Sequence, residues 1–407
     1  MTQIALSEWK EITVSLPRPV VTHLADQHRN HLALTPTGDP DVWQLKTAQY
    51  VGTIRSHDHS LLITPKVPLP NLLALMSVEV PSEIWHSETV DLATDPDLLS
   101  VMVRLFCVAC ESTTRRGLRS DYVPRQEMLI SPRGRIDIRA IINRPGLKVP
   151  IPCRYDEHSP DIELNRLLRA ALRIATRTGD LSPHWRYRLR LQLAEFEGVT
   201  DTHSDPSWVD SWTPQPMERH YESSVRLASL ILAGTSISSR FGEQPAHSFL
   251  LDMNTLFERY VTRRLQDASP DITVEAQPKS KLDETGKVNI YPDIVFQRDG
   301  WPIAVADTKY KLLEPGTGRS SDYYQALAYA TAYGLNEAWL IYARTPGEEP
   351  AGTIRVRNSP VTIRTVGLDL NVPIAQLDQQ ITSLAELISD KPGPTEAPTG
   401  QLIGDEG

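Results

Sequence analysis

The chain has 407 residues, more than one ordinary hydrophobic core, so about two or three folding units are expected. Its formal net charge is -9 at pH 7, which excludes a protein that coats nucleic acid through overall positive charge. It also lacks the apolar run of a membrane helix and the order of a signal peptide. These features predict a cytoplasmic protein without a membrane segment.

The chain contains three cysteines, Cys107, Cys110 and Cys153. So few thiols fit a reducing compartment and exclude a disulfide framework. Cys107 and Cys110 form a C-x-x-C motif, but a structural zinc site needs further ligands and no second pair exists. The apolar surroundings, LLSVMVRLFCVAC, instead predict a buried helix with packing cysteines.

The N-terminal region, residues 1–90, contains β-rich runs separated by turn residues and is predicted to be a small β-rich domain. His57 and His59 could suggest a metal site. They lie in a polar turn, SHDHS, with no further ligand nearby in the sequence. A solvated turn is the favoured interpretation.

The middle region, residues 91–240, is predicted to be mixed and then helical, with helices near 95–116, 161–178, 183–198 and 217–233 and a β-segment within 121–142. The second of these helices alternates a leucine-rich face with a basic face. The basic face carries Arg166, Arg169, Arg173 and Arg177, and Arg186, Arg188 and Arg190 follow it. These arginines form either a solvated face or a patch for DNA phosphates or a partner.

The C-terminal region, residues 241–389, is predicted to follow the order αβββαβ, and the tail 390–407 is rich in Pro, Gly and acids and is expected to be disordered. The predicted elements are a helix at 249–265, a strand at 272–276, a hairpin of 288–297 and 302–310, a helix at 321–334 and a strand at 338–343. The overall fold class is therefore α/β and multidomain.

The hairpin brings charged residues together. A three-residue loop at Asp299–Trp301 would place Asp293 directly opposite Asp307 on the neighbouring strand. Lys309 lies two residues after Asp307 and shares its face. Two opposed acids are destabilising unless a cation lies between them, and Mg²⁺, with Mn²⁺ as an alternative, prefers such oxygen ligands. This arrangement favours phosphodiester hydrolysis over the alternative, a salt-bridged structural hairpin.

Two helices add candidate groups. Glu258, beside the apolar stripe of the first helix, is either a further metal ligand or a surface glutamate. In the second helix Gln325 and Tyr329 are four residues apart and share a face. They are predicted to contact DNA or a metal-bound water, with packing as the alternative, and Asp322 is expected to be the N-cap.

The ordered set FERYV, Pro292-Asp293, Asp307-Thr308-Lys309 and Gln325-x-x-x-Tyr329 resembles the PD-(D/E)XK nuclease superfamily, and its RecB-like branch in particular. Segments along nearly the whole chain, among them VGTIRSHDHSLLITPKVPLPNLL and LAGTSISSRFG, are similar to the McrC family. This resemblance implies that Asp293 and Asp307 bind the metal, that Lys309 is catalytic and that Thr308 contributes only its backbone carbonyl.

The family resemblance also implies a partner, a hexameric McrB-like AAA+ GTPase that recognises modified DNA, with residues 1–90 as the motor-binding region. The chain itself has no phosphate-binding loop, so no bound nucleotide is expected. The expected activity is Mg²⁺-dependent cleavage of methylated double-stranded DNA together with stimulation of the partner's GTPase. The alternatives are a non-cleaving adaptor of the GTPase and a free-standing repair-type nuclease.

Overall fold

The computed structural model describes residues 2–77, 98–142, 149–177, 181–202, 205–210, 212–236, 248–310, 320–344 and 352–390. The helices in these ranges are α1 (Arg18–Gln27), α2 (Leu69–Ser77), α3 (Leu98–Thr114), α4 (Ile138–Ile142), α5 (Glu163–Ala175), α6 (Pro183–Glu195), α7 (Glu222–Ser236), α8 (Met253–Ala268), α9 (Ser320–Ala332) and α10 (Ile374–Ser389). None of them is long and apolar enough to cross a lipid bilayer. Except for Asp390, the predicted disordered tail 390–407 lies outside the described residues.

The strands of the N-terminal and middle regions are β1 (Thr2–Ser7), β2 (Glu11–Ser15), β3 (Leu32–Pro36), β4 (Val42–Thr47), β5 (Tyr50–Ser56), β6 (His59–Thr64), β7 (Asp121–Leu129), β8 (Arg135–Ile136) and β9 (Ile151–Ser159). Those of the C-terminal region are β10 (Phe249–Asp252), β11 (Thr273–Ala276), β12 (Ser280–Lys281), β13 (Asn289–Ile290), β14 (Ile294–Arg298), β15 (Trp301–Lys309), β16 (Glu337–Arg344), β17 (Thr353–Arg355) and β18 (Thr362–Asp369). The chain is therefore α/β with several sheets.

The strands form five sheets, with the orders β1-β6-β5-β10, β2-β4-β3, β7-β9-β8, β12-β13 and β11-β14-β15-β16-β18-β17. The chain divides into two compact units. The first comprises residues 1–4, 52–62 and 79–250, and the second comprises residues 5–51, 63–78 and 251–407.

The first unit contains the helices of the middle region. Helix α3 is buried along most of its length, and Cys107 and Cys110 are buried in it as reduced thiols. Helix α5 buries its leucine face, as its sequence pattern predicted. Arginines of the opposite face form ion pairs, Arg166 with Asp161 and Arg173 with Asp201. For Arg166 and Arg173 these contacts favour a structural role over contact with DNA, because an acid already compensates the charge of each.

The second unit is built on the six-stranded sheet. Strands β14 and β15 are antiparallel, whereas β15, β16 and β18 run parallel to one another. Helix α9 covers one face of this sheet, where its Ala326, Tyr329 and Ala330 share a buried cluster with Val305 and Leu340. The order helix, three strands, helix, strand is observed from α8 to β16, with the short β12-β13 hairpin inserted after β11.

The first C-terminal helix begins later than predicted. Phe249–Asp252 form strand β10, and helix α8 starts at Met253, where the Asp252 side chain accepts a hydrogen bond from the Asn254 backbone N–H. The helical prediction for residues 249–252 is therefore wrong. Pairing with β5 explains the difference. A side chain on Gly52 of β5 would lie 2.1 Å from the Phe249 carbonyl oxygen, so only glycine allows this close approach.

The hairpin turn also differs from the prediction, although the register does not. Asp299 (φ 51°) and Gly300 (φ 81°) form a two-residue turn of type I′ geometry, and Arg298 pairs with Trp301. A bulge then shifts the register, so that Gln297 pairs with Pro302 but Phe296 pairs with Ala304. The shorter turn and the bulge compensate, and Ile294 lies opposite Ala306, as the three-residue loop had predicted.

Candidate active site

Strand β15 presents Asp307 and Lys309 on one face. The Asp307 side chain is 1% exposed, and Lys309 Nζ lies 2.5 Å from Asp307 Oδ2. Asp307 Oδ1 is buried and has no hydrogen-bond partner among the described residues. The next residue, Tyr310, donates a hydrogen bond from its hydroxyl to Glu8 Oε1 over 2.7 Å, which fixes the end of β15. The site therefore contains a buried carboxylate that is only partly compensated.

Asp293 lies immediately before β14, next to the end of β15. Its Oδ2 accepts hydrogen bonds from the Thr308 backbone N–H (2.7 Å) and from the Thr308 hydroxyl (2.9 Å). The structure thus brings Asp293, Asp307, Thr308 and Lys309 together. Thr308 contributes more than the backbone carbonyl expected from the sequence, since its amide and hydroxyl both orient Asp293.

The acids in the site have raised pKa values, mainly because they are buried. Burial raises the pKa of Asp307 to about 7, and the Asp293 carboxylate adds to the shift while Lys309 opposes it. Burial also raises the pKa of Asp293. Burial alone would lower the pKa of Lys309, but Asp307 and the other nearby acids raise it overall. One ammonium group does not neutralise this cluster, so a further cation would be favourable there.

Glu258 of helix α8 lies close to the same acids. Burial raises the pKa of Glu258 to about 7, and the Asp293 charge contributes to the shift. Its Oε1 accepts a 2.6 Å hydrogen bond from the Gln277 side-chain amide. The Glu258 side chain is partly buried and interacts electrostatically with Asp293 and Asp307, which favours the metal-site interpretation over an isolated surface glutamate.

Gln325 and Tyr329 contact each other on helix α9. Gln325 Nε2 donates to the Tyr329 hydroxyl (2.7 Å), and this hydroxyl donates to the Tyr291 carbonyl oxygen (3.0 Å). Because Tyr291 lies two residues before Asp293, the pair supports the backbone that carries this acid. The shared helix face predicted from the four-residue spacing is present.

Asp322 is not the N-cap of α9, because the helix begins at Ser320. The side chain is instead buried, and Asp322 Oδ2 accepts a hydrogen bond from the Tyr342 hydroxyl over 2.9 Å. Its charge contributes to the raised pKa of Asp307. The sequence pattern indicated the wrong role for Asp322 and carried no signal for Gln277, because both interact with residues that are distant in the sequence.

The donor set suits a hard cation such as Mg²⁺. Asp307 Oδ1 is a buried acceptor without a partner among the described residues, and Asp293 lies beside it. Within those residues no group of three His, Cys, Asp or Glu side chains is arranged to hold an ion. Mg²⁺ often binds through one or two carboxylates and keeps several waters or substrate oxygens, so two acids are sufficient.

Comparisons with known proteins place the chain in a family. The structure is similar to a chain in the half-complex refined from the tetradecameric assembly of Thermococcus gammatolerans McrB AAA+ hexamers with bound McrC. The TM-score is 0.56 at 18% identity, and the match covers 95% of this chain and 100% of that chain. This likeness shows a shared fold.

A chain of the Thermococcus gammatolerans McrBC complex, solved by cryo-EM, matches with a TM-score of 0.43 at 21% identity, over 66% of this chain and 88% of that chain. No curated protein matches the sequence. A family model described as the McrBC 5-methylcytosine restriction system component matches residues 45–343, which is most of the chain. The chain therefore belongs to this family of McrBC restriction components, which confirms the family expected from its motifs.

Proposed function

We propose that the chain is the DNA-cleaving subunit of a McrBC-type, type IV restriction complex, a Mg²⁺-dependent endonuclease acting on methylated double-stranded DNA. The observation that carries the proposal is Asp307, a buried acid with one oxygen that has no hydrogen-bond partner in the part of the chain that the structure describes. It lies beside Asp293 and on the same strand face as Lys309. A structural ion pair would not need the second acid.

The proposed PD-(D/E)XK domain covers residues 241–389, and its chemistry follows from the chain's own groups. Asp293 and Asp307 would hold Mg²⁺ with the Thr308 carbonyl oxygen. Glu258 would add negative charge beside them rather than complete a three-acid group. The bound ion would supply Lewis-acid activation of the scissile phosphate. Lys309 carries a raised pKa, remains protonated, and can stabilise negative charge that develops on the phosphate.

Gln325 and Tyr329 support this site from helix α9. Their hydrogen bonds lead to the Tyr291 carbonyl oxygen and hold the segment before Asp293. A displacement of a reacting group by about 1 Å can reduce the rate by about 100-fold, so such support matters for turnover. The pair also lies close enough for Asp307 and Asp293 to raise the pKa of Tyr329, after burial as the main cause.

The partner would be an AAA+ GTPase of the McrB type. The similar half-complex contains McrB AAA+ hexamers with bound McrC, and this chain belongs to the matching family. The chain would stimulate that GTPase and cut DNA when the partner has recognised it. The chain's net charge of -9 agrees with DNA recognition by a partner, because broad electrostatic attraction to DNA is absent.

The test is cleavage of a cytosine-methylated plasmid by the full chain with its McrB-type partner, GTP and Mg²⁺. Wild type is compared with Asp307→Asn and with Asp271→Asn, an acid-to-amide change at an exposed position of the same unit. Wild type and Asp271→Asn should cut, whereas Asp307→Asn should lose cleavage and retain GTPase stimulation.

Cleavage by Asp307→Asn at the wild-type rate would contradict the assignment of the active site. Stimulated GTPase without cleavage by any variant would support the adaptor. Cleavage of unmodified DNA by the chain alone would support the free-standing nuclease. Each alternative therefore has its own outcome in the same assay.

A further inference from the structure

Gln277 has an unusual backbone conformation beside the candidate site. It follows the last residue of β11, Ala276, and its φ is 45°. Side chains other than glycine, and to a lesser degree asparagine and aspartate, rarely adopt positive φ because Cβ approaches the backbone too closely. Strained residues of this kind persist where their surroundings enforce them, and they are concentrated at functional sites.

Two hydrogen bonds connect Gln277 to two acids of the site. Its backbone N–H donates to the Asp293 carbonyl oxygen over 2.8 Å. Its side-chain Nε2 donates to Glu258 Oε1 over 2.6 Å. Glu258 lies on helix α8 and Asp293 precedes strand β14, so one residue joins two separate elements of the site.

The contacts have different consequences for the two acids. The backbone bond extends the β11-β14 ladder by one step beyond the pair Ala276 and Ile294, and it fixes the main chain at Asp293. The side-chain bond restricts the Glu258 carboxylate, which Asp293 and Asp307 otherwise repel. Without a donor at this point, Glu258 would be free to turn toward solvent and away from the like charges.

We propose that Gln277 is a positioning residue for the cation site, with its backbone fixing Asp293 and its side-chain amide holding Glu258 toward the other acids. The inference rests on the proposed function, since it concerns the same cation. Residues that orient metal ligands in this way typically change metal affinity or activity by about 10- to 100-fold when they are replaced.

The experiment removes the side-chain contact in two variants of the full chain that differ in backbone strain and retain the backbone bond to Asp293. Gln277→Ala removes the amide and retains the strained backbone, whereas Gln277→Gly removes the amide and relieves the strain. Gln297→Ala is the matched control. It deletes another glutamine–glutamate hydrogen bond of the same sheet, from Gln297 Nε2 to Glu275 Oε2 over 2.8 Å, outside the site.

Cation binding is measured by titration calorimetry with Mn²⁺ in the absence of DNA, and the melting temperature is measured without cation. Both Gln277 variants should bind Mn²⁺ about tenfold more weakly than wild type, and Gln297→Ala should match wild type. Gln277→Gly should melt at or above the temperature of Gln277→Ala, because glycine adopts positive φ without strain. A purely structural residue would change the melting temperature but not the cation affinity.

Cleavage gives a second readout. The Mg²⁺ concentration for half-maximal cleavage should rise about tenfold in both Gln277 variants, while the KM for DNA stays at the wild-type value. Wild-type Mn²⁺ affinity in Gln277→Ala and Gln277→Gly would overturn the inference and leave the proposed nuclease intact. A wild-type chain that neither binds Mn²⁺ nor cleaves DNA with its partner would overturn both.

Discussion

Replacing Asp307 with asparagine should stabilise the cation-free chain at alkaline pH while it abolishes cleavage. Burial and Asp293 raise the pKa of Asp307 to about 7 in the folded chain, against an ordinary value of 3.8. Unfolding therefore releases a proton, and stability falls as pH rises from about 4 to about 7. The difference of roughly three pKa units corresponds to about 4 kcal/mol above that range.

The ion pair with Lys309 is already included in this pKa. The net gain will still be smaller, because an amide replaces the protonated carboxyl group and some of its contacts are lost. We expect Asp307→Asn to exceed wild type by about 1 to 3 kcal/mol at about pH 8, after this loss is subtracted. The pH dependence is the sharper signature, because Asp307 ionises in this range and asparagine does not. The advantage should grow by about 2 kcal/mol between about pH 5.5 and about pH 8.

The assay is urea unfolding of the full chain in EDTA at both pH values. Asp271→Asn is the control, because this acid is exposed and its replacement should shift neither curve. If the difference in free energy of unfolding between Asp307→Asn and wild type does not change with pH, the pKa of Asp307 is not raised by burial and by Asp293. If Asp307→Asn is less stable at both pH values, the ion pair with Lys309 dominates the site.

Three further predictions concern other parts of the chain. Mg²⁺ binding at about pH 6 should release protons, because burial raises the pKa of Glu258 and of Asp307 to about 7. Calorimetry in buffers of different ionisation enthalpy should then give different heats of binding. Identical heats would contradict the release of protons. Lys309→Met should reduce the cleavage rate by about 100-fold or more and leave Mn²⁺ affinity within about twofold, whereas a large loss of affinity would make Lys309 part of the cation site. Arg166→Ala should lower the free energy of unfolding by about 2 to 3 kcal/mol, because it leaves the buried Asp161 carboxylate with fewer hydrogen-bond donors. The affinity for DNA should not change. Weaker DNA binding would support the alternative that these arginines contact DNA phosphates.

The hairpin of β14 and β15 could be predicted well from the sequence because its signals are local. Apolar runs on both sides of Asp299-Gly300 indicate two strands, and alternation along β15 puts Asp307 and Lys309 on one face. The register was right although the loop length was wrong, since the bulge added the residue that the shorter turn lacked. A β-bulge leaves no reliable mark in a single sequence, so its position could not be predicted.

The parts that were missed depend on contacts between distant residues. Phe249–Asp252 suit the apolar pattern of a helix, but pairing with β5 makes them a strand. Aspartate is a common N-cap residue, but the Asp322 side chain accepts its hydrogen bond from the Tyr342 hydroxyl on β16. Gln277 could be found only from its backbone angle and its contact with Glu258. In each case tertiary structure overrides a local preference.

The bulge between β14 and β15 determines which hairpin lengths keep Asp307 beside Asp293. Ile303 is the residue left without a partner between Pro302 and Ala304. The regular pairs, from Phe296 with Ala304 to Ile294 with Ala306, follow it. Deleting Ile303 would remove the bulge and leave these pairs in place, so Asp307 would stay beside Asp293. Deleting a paired residue such as Val305 while the bulge remains would instead bring Thr308 to the place of Asp307. The proposed site therefore tolerates a hairpin one residue shorter only where the bulge is the residue lost.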